Sequence, residues 1–99
     1  MRLSAEQIAI IKEEAERAFG AEVEVRLFGS RVDEGRRGGD IDLWVDTGLG
    51  AEEVARAERG FYAALQRRLG EQRIDLVVHR RGTEPRPIDA VALRNGVAL

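Results

Sequence analysis

Apolar residues recur at helical intervals in the first segment, where Ile8, Ile11, Ala15 and Ala18/Phe19 follow Ser4 and Gln7. Ser4 and Gln7 stand three apart, the spacing of a capping box, and Gly20 supplies a terminal cap, so the pattern predicts a helix between them. The period then changes to two. Val23, Val25 and Leu27 alternate with Glu22, Glu24 and Arg26, which predicts a strand with one wet face. Ile41, Leu43 and Val45 alternate with Asp42, Trp44 and Asp46 in a second strand that ends at Thr47-Gly48-Leu49-Gly50. From Ala51 to Leu69 the apolar positions Val54, Ala57, Phe61, Ala64/Leu65 and Leu69 return to helical spacing, with Gly70 as the stop. Ile74 to Val78 forms a third strand, apolar on both sides except for Asp75. A short helix over Ile88, Val91 and Ala92 or Leu93 follows Pro85 and Pro87, is capped by Asn95-Gly96, and leads to a terminal strand at Val97 to Leu99.

This order predicts an α+β fold, a small mixed sheet with helices mainly on one face and the other face left open for chemistry. The length of 99 residues fits one domain, 1–99, with a core of two packed layers. The stretch 31–39 has three glycines, three arginines and two acids but one apolar residue, so it reads as a loop.

Composition narrows the function classes. Sixteen basic against eighteen acidic residues leave a net charge of −2, which argues against sequence-independent binding to nucleic acid. Fifteen of the basic residues are arginine, which reads as a codon bias rather than a property of a site. The absence of cysteine excludes disulfides, thiolate zinc sites and cysteine nucleophiles, and fits a reducing compartment. No apolar run approaches a membrane span and the N-terminus does not resemble a signal peptide, so the expected location is the cytoplasm, without a membrane partner.

Three features carry candidate chemistry. Asp40 and Asp42 lie two apart at the start of a strand, so both carboxylates share a sheet face. Two such acids hold a hard divalent cation well, and the bland alternative is a polar strand in solvent. Asp75 sits in an otherwise apolar strand, where a buried carboxylate needs a cation or an arginine; Arg73 and Arg26 are the structural alternatives. Gly29-Ser30 directly after a strand suits a phosphate cradle, and the lack of Gly-Lys-Ser/Thr excludes a P-loop. His79, the only histidine, is a weaker candidate base; Trp44 either stacks on a base or covers the sheet; Arg56, Arg59, Arg67 and Arg68 read as a solvated helix face.

Taken together, Leu27-Phe28-Gly29-Ser30-Arg31, then Arg37-Gly38-Gly39-Asp40-Ile41-Asp42-Leu43, then Ile74-Asp75-Leu76-Val77 resemble the nucleotidyltransferase superfamily of the DNA polymerase beta type, and within it the minimal nucleotidyltransferases. The resemblance extends over almost the whole chain and implies a palm-like catalytic core. It implies transfer of a nucleoside monophosphate, AMP from ATP, to an acceptor hydroxyl with release of pyrophosphate. Asp40, Asp42 and Asp75 match the catalytic and metal-binding carboxylates for two Mg2+ ions; Gly29, Ser30 and Arg31 match the positions that seat the triphosphate. Gly39 departs from the pattern, since many relatives have serine there. The resemblance also suggests an antitoxin that adenylylates a HEPN-type toxin. The alternatives are transfer to nucleic acid or a small molecule, or a non-catalytic module that binds nucleotide or a partner. An apolar patch around Ile88 and Val91 is a candidate surface for homo-oligomers.

Overall fold

A computed structural model describes residues 3–29 and 40–99, with the side chain of Asp40 outside that set. The elements follow the expected order: α1 (Ala5–Phe19), β1 (Glu24–Phe28), β2 (Asp40–Thr47), α2 (Ala51–Leu69), β3 (Arg73–Arg80), α3 (Pro87–Asn95) and β4 (Val97–Ala98). Among the described residues they make an α+β arrangement of three helices and one four-stranded mixed sheet, in spatial order β3-β2-β1-β4. β1 runs antiparallel to both β2 and β4, whereas β2 and β3 are parallel. The parallel pair is joined through α2, since a parallel return needs a crossover too long for a hairpin.

α1 begins where its capping box predicts. Ser4 Oγ accepts from the Gln7 N–H at 3.1 Å, while the Gln7 side chain accepts from the Ser4 N–H at 2.8 Å. Strand parity then separates two faces of the sheet. Val25, Leu27, Ile41, Leu43, Val45 and Ile74 turn to the first face and form one core with Ile11, Ala15 and Phe19 of α1 and Phe61 and Leu65 of α2. Phe19 meets Phe61 edge to face, with ring centroids 5.5 Å apart. Thr47, fully buried at the end of β2, donates to the Phe19 carbonyl at 3.3 Å and accepts from the Leu49 N–H at 3.2 Å, which ties the strand end to α1 and to the turn beyond. Arg56, Arg59, Arg67 and Arg68 are all exposed, as expected of a solvated face, and Arg68 also pairs with Glu13 and with buried Glu14 of α1, so it joins the two helices.

The second face is less open than the sequence pattern suggests. α1 and α2 lie on the first face, but α3 packs on the second, where Ala92 meets Phe28 and Trp44, with Val77 against them. The reason is that the second-face positions of β1 and β2 include two large aromatics, which need cover. α3 is held close by Gly96, because a Cβ there would collide with the Ala92 carbonyl and come within 3.3 Å of the Leu27 carbonyl. Its φ of −81° is open to any residue, so close approach rather than a left-handed cap explains this glycine. Among the described residues, no helix is long and apolar enough to cross a membrane.

Candidate functional site

The second face carries the chemistry, laid out in four rows by the register of β2 on β3. Asp40 stands beside Arg73, Asp42 beside Asp75, Trp44 beside Val77, and Asp46 beside His79. Successive rows are about 7 Å apart, and paired residues in neighbouring strands about 5 Å apart. β1 adds Phe28 beside Asp42, Arg26 beside Trp44 and Glu24 beside Asp46.

β3 lies next to β2, so Asp42 and Asp75 share a row and a face. Asp42 is half-buried and Asp75 exposed. The exposure of Asp75 corrects the premise that its strand would bury it: odd-numbered residues of β3 face the side where α3 covers only the neighbouring row, and β3 is an edge strand. An exposed carboxylate carries no desolvation penalty that demands a partner, so burial is not an argument for a cation here. Arg26 is no partner for Asp75 either. It lies on β1, across β2 from β3, and donates to Glu24 at 2.9 Å and to the Gly96 carbonyl at 3.4 Å.

Gly29 closes the Asp42 end of the face. It follows Phe28 at φ +77°, and a Cβ built on it would collide with the Asp42 carboxylate, lying 2.7 Å from Cγ. Both the backbone angle and the space exclude other residues at low cost, so the chain leaves β1 with its backbone pressed against the Asp42 carboxylate. Of the remaining candidates, Asp40 begins β2 in the row before Asp42, with its side chain outside the described residues; Ser30 and Arg31 also lie outside them. Among the described residues, no three acidic, histidine or cysteine side chains form a group able to hold a metal ion. The donors Asp42 and Asp75 do suit a hard divalent cation, since they offer carboxylate oxygens from one row, and Gly29 keeps one side of Asp42 clear of side-chain atoms.

The far rows are filled by two closed networks that pattern reading missed. Trp44 is 2% exposed, and its Nε1–H donates to Asp89 Oδ1 at 2.9 Å. Asp89, fully buried at the start of α3, also accepts from the Arg86 backbone N–H at 2.7 Å and from Arg86 Nε and Nη2, each at 3.0 Å. The Arg86 guanidinium is the main reason that the Asp89 carboxyl lies far below the usual carboxylate range; burial opposes it, and the Trp44 and backbone N–H donors help. Trp44 therefore covers the sheet and is not presented to a base. The next row pairs Asp46 Oδ1 with His79 Nδ1 at 2.8 Å and Asp46 Oδ2 with Arg81 Nε at 2.8 Å. His79 Nε2 faces the Thr83 carbonyl at 3.1 Å, and the imidazole stacks on Trp44 with centroids 6.2 Å apart. With both ring nitrogens engaged, His79 serves the fold and offers no base to the acidic row. The only sequence trace of these networks was the acid at the first turn of α3 and the arginine just before it, which gives no clue to the distant tryptophan.

No protein-family model matches this chain, and no curated protein matches it.

Proposed function

We propose that the chain is a nucleotidyltransferase that moves a nucleoside monophosphate, AMP from ATP, to a hydroxyl group on an acceptor. One observation carries the reading: Asp42 and Asp75 share a row on neighbouring parallel strands, at the end of the sheet where Gly29 brings the backbone against Asp42. Asp75 is exposed and meets no partner among the described residues, so a cation brought to this row would find carboxylate oxygens from both strands.

In this reading Asp42 and Asp75, with Asp40 from the preceding row, would hold two Mg2+ ions. When bound, such cations supply charge neutralisation at the transferring phosphoryl group and at the leaving pyrophosphate. The chain's own part is positional. The turn at Gly29, with Ser30 and Arg31 after it, would seat the triphosphate through backbone N–H groups, a hydroxyl and a guanidinium. Asp75, exposed on the edge strand where Asp42 is half-buried, is the candidate to take the hydroxyl proton of an incoming acceptor. The net charge of −2 offers little attraction to a polyanion, which favours a protein hydroxyl delivered by a partner, such as a HEPN-type toxin, over a nucleic acid end.

Calorimetry of ATP binding with and without Mg2+, on the native chain and on Asp40→Asn with Asp42→Asn, tests the reading. Metal-dependent binding that disappears in the double variant supports it. ATP binding that is indifferent to Mg2+ and to both substitutions would leave the fold as a scaffold without this chemistry.

A further inference from the structure

The outer edge of β3 is closed by side chains at its two ends and left open between them. Backbone direction alternates along this strand. The Arg81 N–H reaches back to the Thr47 carbonyl of β2 at 2.7 Å, so odd-numbered residues here bond inward and even-numbered residues turn their N–H and C=O groups out. Each outward position at the ends has a side-chain partner. At Gln72 the Gln66 amide mimics a neighbouring strand, accepting from the backbone N–H at 3.0 Å and donating to the carbonyl at 2.7 Å. At Val78 the carbonyl accepts from Arg86 Nη2 at 2.8 Å, and at Arg80 it accepts from Thr83 Oγ1 at 2.6 Å. Between these caps, the outward N–H and C=O groups of Ile74 and Leu76 meet no partner among the described residues.

The open window faces a groove of about 460 Å3, lined by Ile74, Asp75 and Leu76 of β3 and by Ala55, Glu58, Arg59 and Tyr62 of α2. Tyr62, 43% exposed, presents its ring to this groove. We propose that this window is a docking site for an extended segment of a partner protein, added antiparallel to β3 as a short fifth strand. Two of its residues would exchange four backbone hydrogen bonds with Ile74 and Leu76, and their side chains would lie on the α2 side over Tyr62 and Ala55, which favours apolar residues. The residue between them would stand opposite Asp75 on the second face. Asp75 is exposed there and meets no hydrogen-bond or ion-pair partner among the described residues, so the matching side chain is basic. The recognised pattern is apolar, basic, apolar.

A second copy of this chain is a poor occupant. Pairing β3 with itself about the window sets Asp75 against Asp75 of the other copy, and brings Gln72 opposite Val78, where Gln66 and Arg86 already fill the edge. The proposal needs neither nucleotide nor cation, so it stands or falls apart from the transferase reading.

The test is fluorescence polarisation with a labelled pentapeptide of sequence TVKVT, in EDTA, on the full chain, with backbone amide shifts followed by NMR. The expected result is a Kd on the order of 100 µM, with shifts centred on the Ile74 and Leu76 amides. The peptide TVEVT should bind roughly tenfold more weakly, and TVKVT with both valines N-methylated should lose binding, because it cannot donate to the edge. Gln66→Ala, which uncaps Gln72, should keep or tighten binding. Lack of binding at about 1 mM peptide, equal binding of TVEVT, retained binding of the N-methylated peptide, or shifts elsewhere would each overturn the proposal. Concentration-dependent shifts along β3 without peptide would overturn it in favour of self-pairing.

Discussion

Two ends of one sheet face use the same residue types to opposite effect. At one end, Asp46 and His79 share a row, and Asp89 sits beneath Trp44; each acid meets donors on several sides, and α3 covers the aromatic row. At the other, Asp42 and Asp75 share a row, two acids side by side with a glycine backbone pressed on one of them. The first arrangement is what a buried carboxylate must find in order to stay charged, and Asp89 shows it at full satisfaction, with four donors to two oxygens. In the second, Asp75 lies exposed beside a like charge and meets no partner among the described residues. An acid whose partners are all supplied by the fold is accounted for by the fold, whereas the exposed carboxylate of Asp75 is one that a ligand can still reach.

The sharpest way to break this contrast is to neutralise each end in turn. Asp42→Asn with Asp75→Asn should lower the affinity for Mg-ATP by at least about 100-fold, as the proposed cation site loses two of its three carboxylates, while the melting temperature stays within a few degrees of native. Calorimetry and thermal melts on the same preparation read both. A large drop in melting temperature would mean that the acidic row is structural after all. At the other end, Asp89→Ala should cost roughly 3 kcal/mol, because it strands the Arg86 guanidinium and the Trp44 indole N–H. For a domain of this size that lowers the melting temperature by roughly 15 °C. A shift of under about 3 °C would show that the clamp under α3 contributes little.

Most of the fold was legible because its elements have strong periods and marked ends. α2 begins and ends where its apolar spacing and Gly70 set it, and α1 starts at the Ser4 capping box. The pairing of β3 with β2, on which the convergence of Asp42 and Asp75 depended, is a tertiary fact that no single strand displays; only the parity of each acid on its strand was readable. Two things escaped for a common reason. The placement of α3 on the second face, and the exposure of Asp75, both depend on which face of an edge strand is covered, and local pattern says nothing of cover. Arg68 is exposed like its neighbours along α2, and its ion pairs were not legible because its partners Glu13 and Glu14 lie on another helix. Gly29 was singled out as a phosphate turn, and the structure adds a second demand, space for the Asp42 carboxylate.

That second demand separates the two roles of Gly29. Gly29→Ala must adopt φ near +77° with a Cβ that meets Asp42, which should cost roughly 2 kcal/mol or turn the carboxylate out of its row. Chemical denaturation reads the first outcome and Mg-ATP affinity the second. If neither changes, the turn is softer than its close contact indicates and gives no support to the acidic row.

The smallest effect is the most diagnostic of the closed end. Because the Asp89 carboxyl is held far below the usual carboxylate range, the native state resists protonation there while the unfolded chain takes up its proton near pH 3.9. The contribution of Asp89 to stability is therefore complete above about pH 5 and declines as the pH falls through the unfolded value. Asp89→Asn keeps an oxygen for the Trp44 N–H but has no charge to titrate, so native and variant should differ most at pH 6 and converge by about 1 kcal/mol at pH 3. Urea unfolding of both proteins at the two pH values measures that convergence, and every other carboxylate cancels because both chains carry it. A gap that stays constant would show that Asp89 titrates alike in the folded and unfolded chain. The Arg86 clamp would then hold the position of α3 without holding the charge of Asp89, and the closed end of the face would owe its stability to packing on Trp44 rather than to ion pairing.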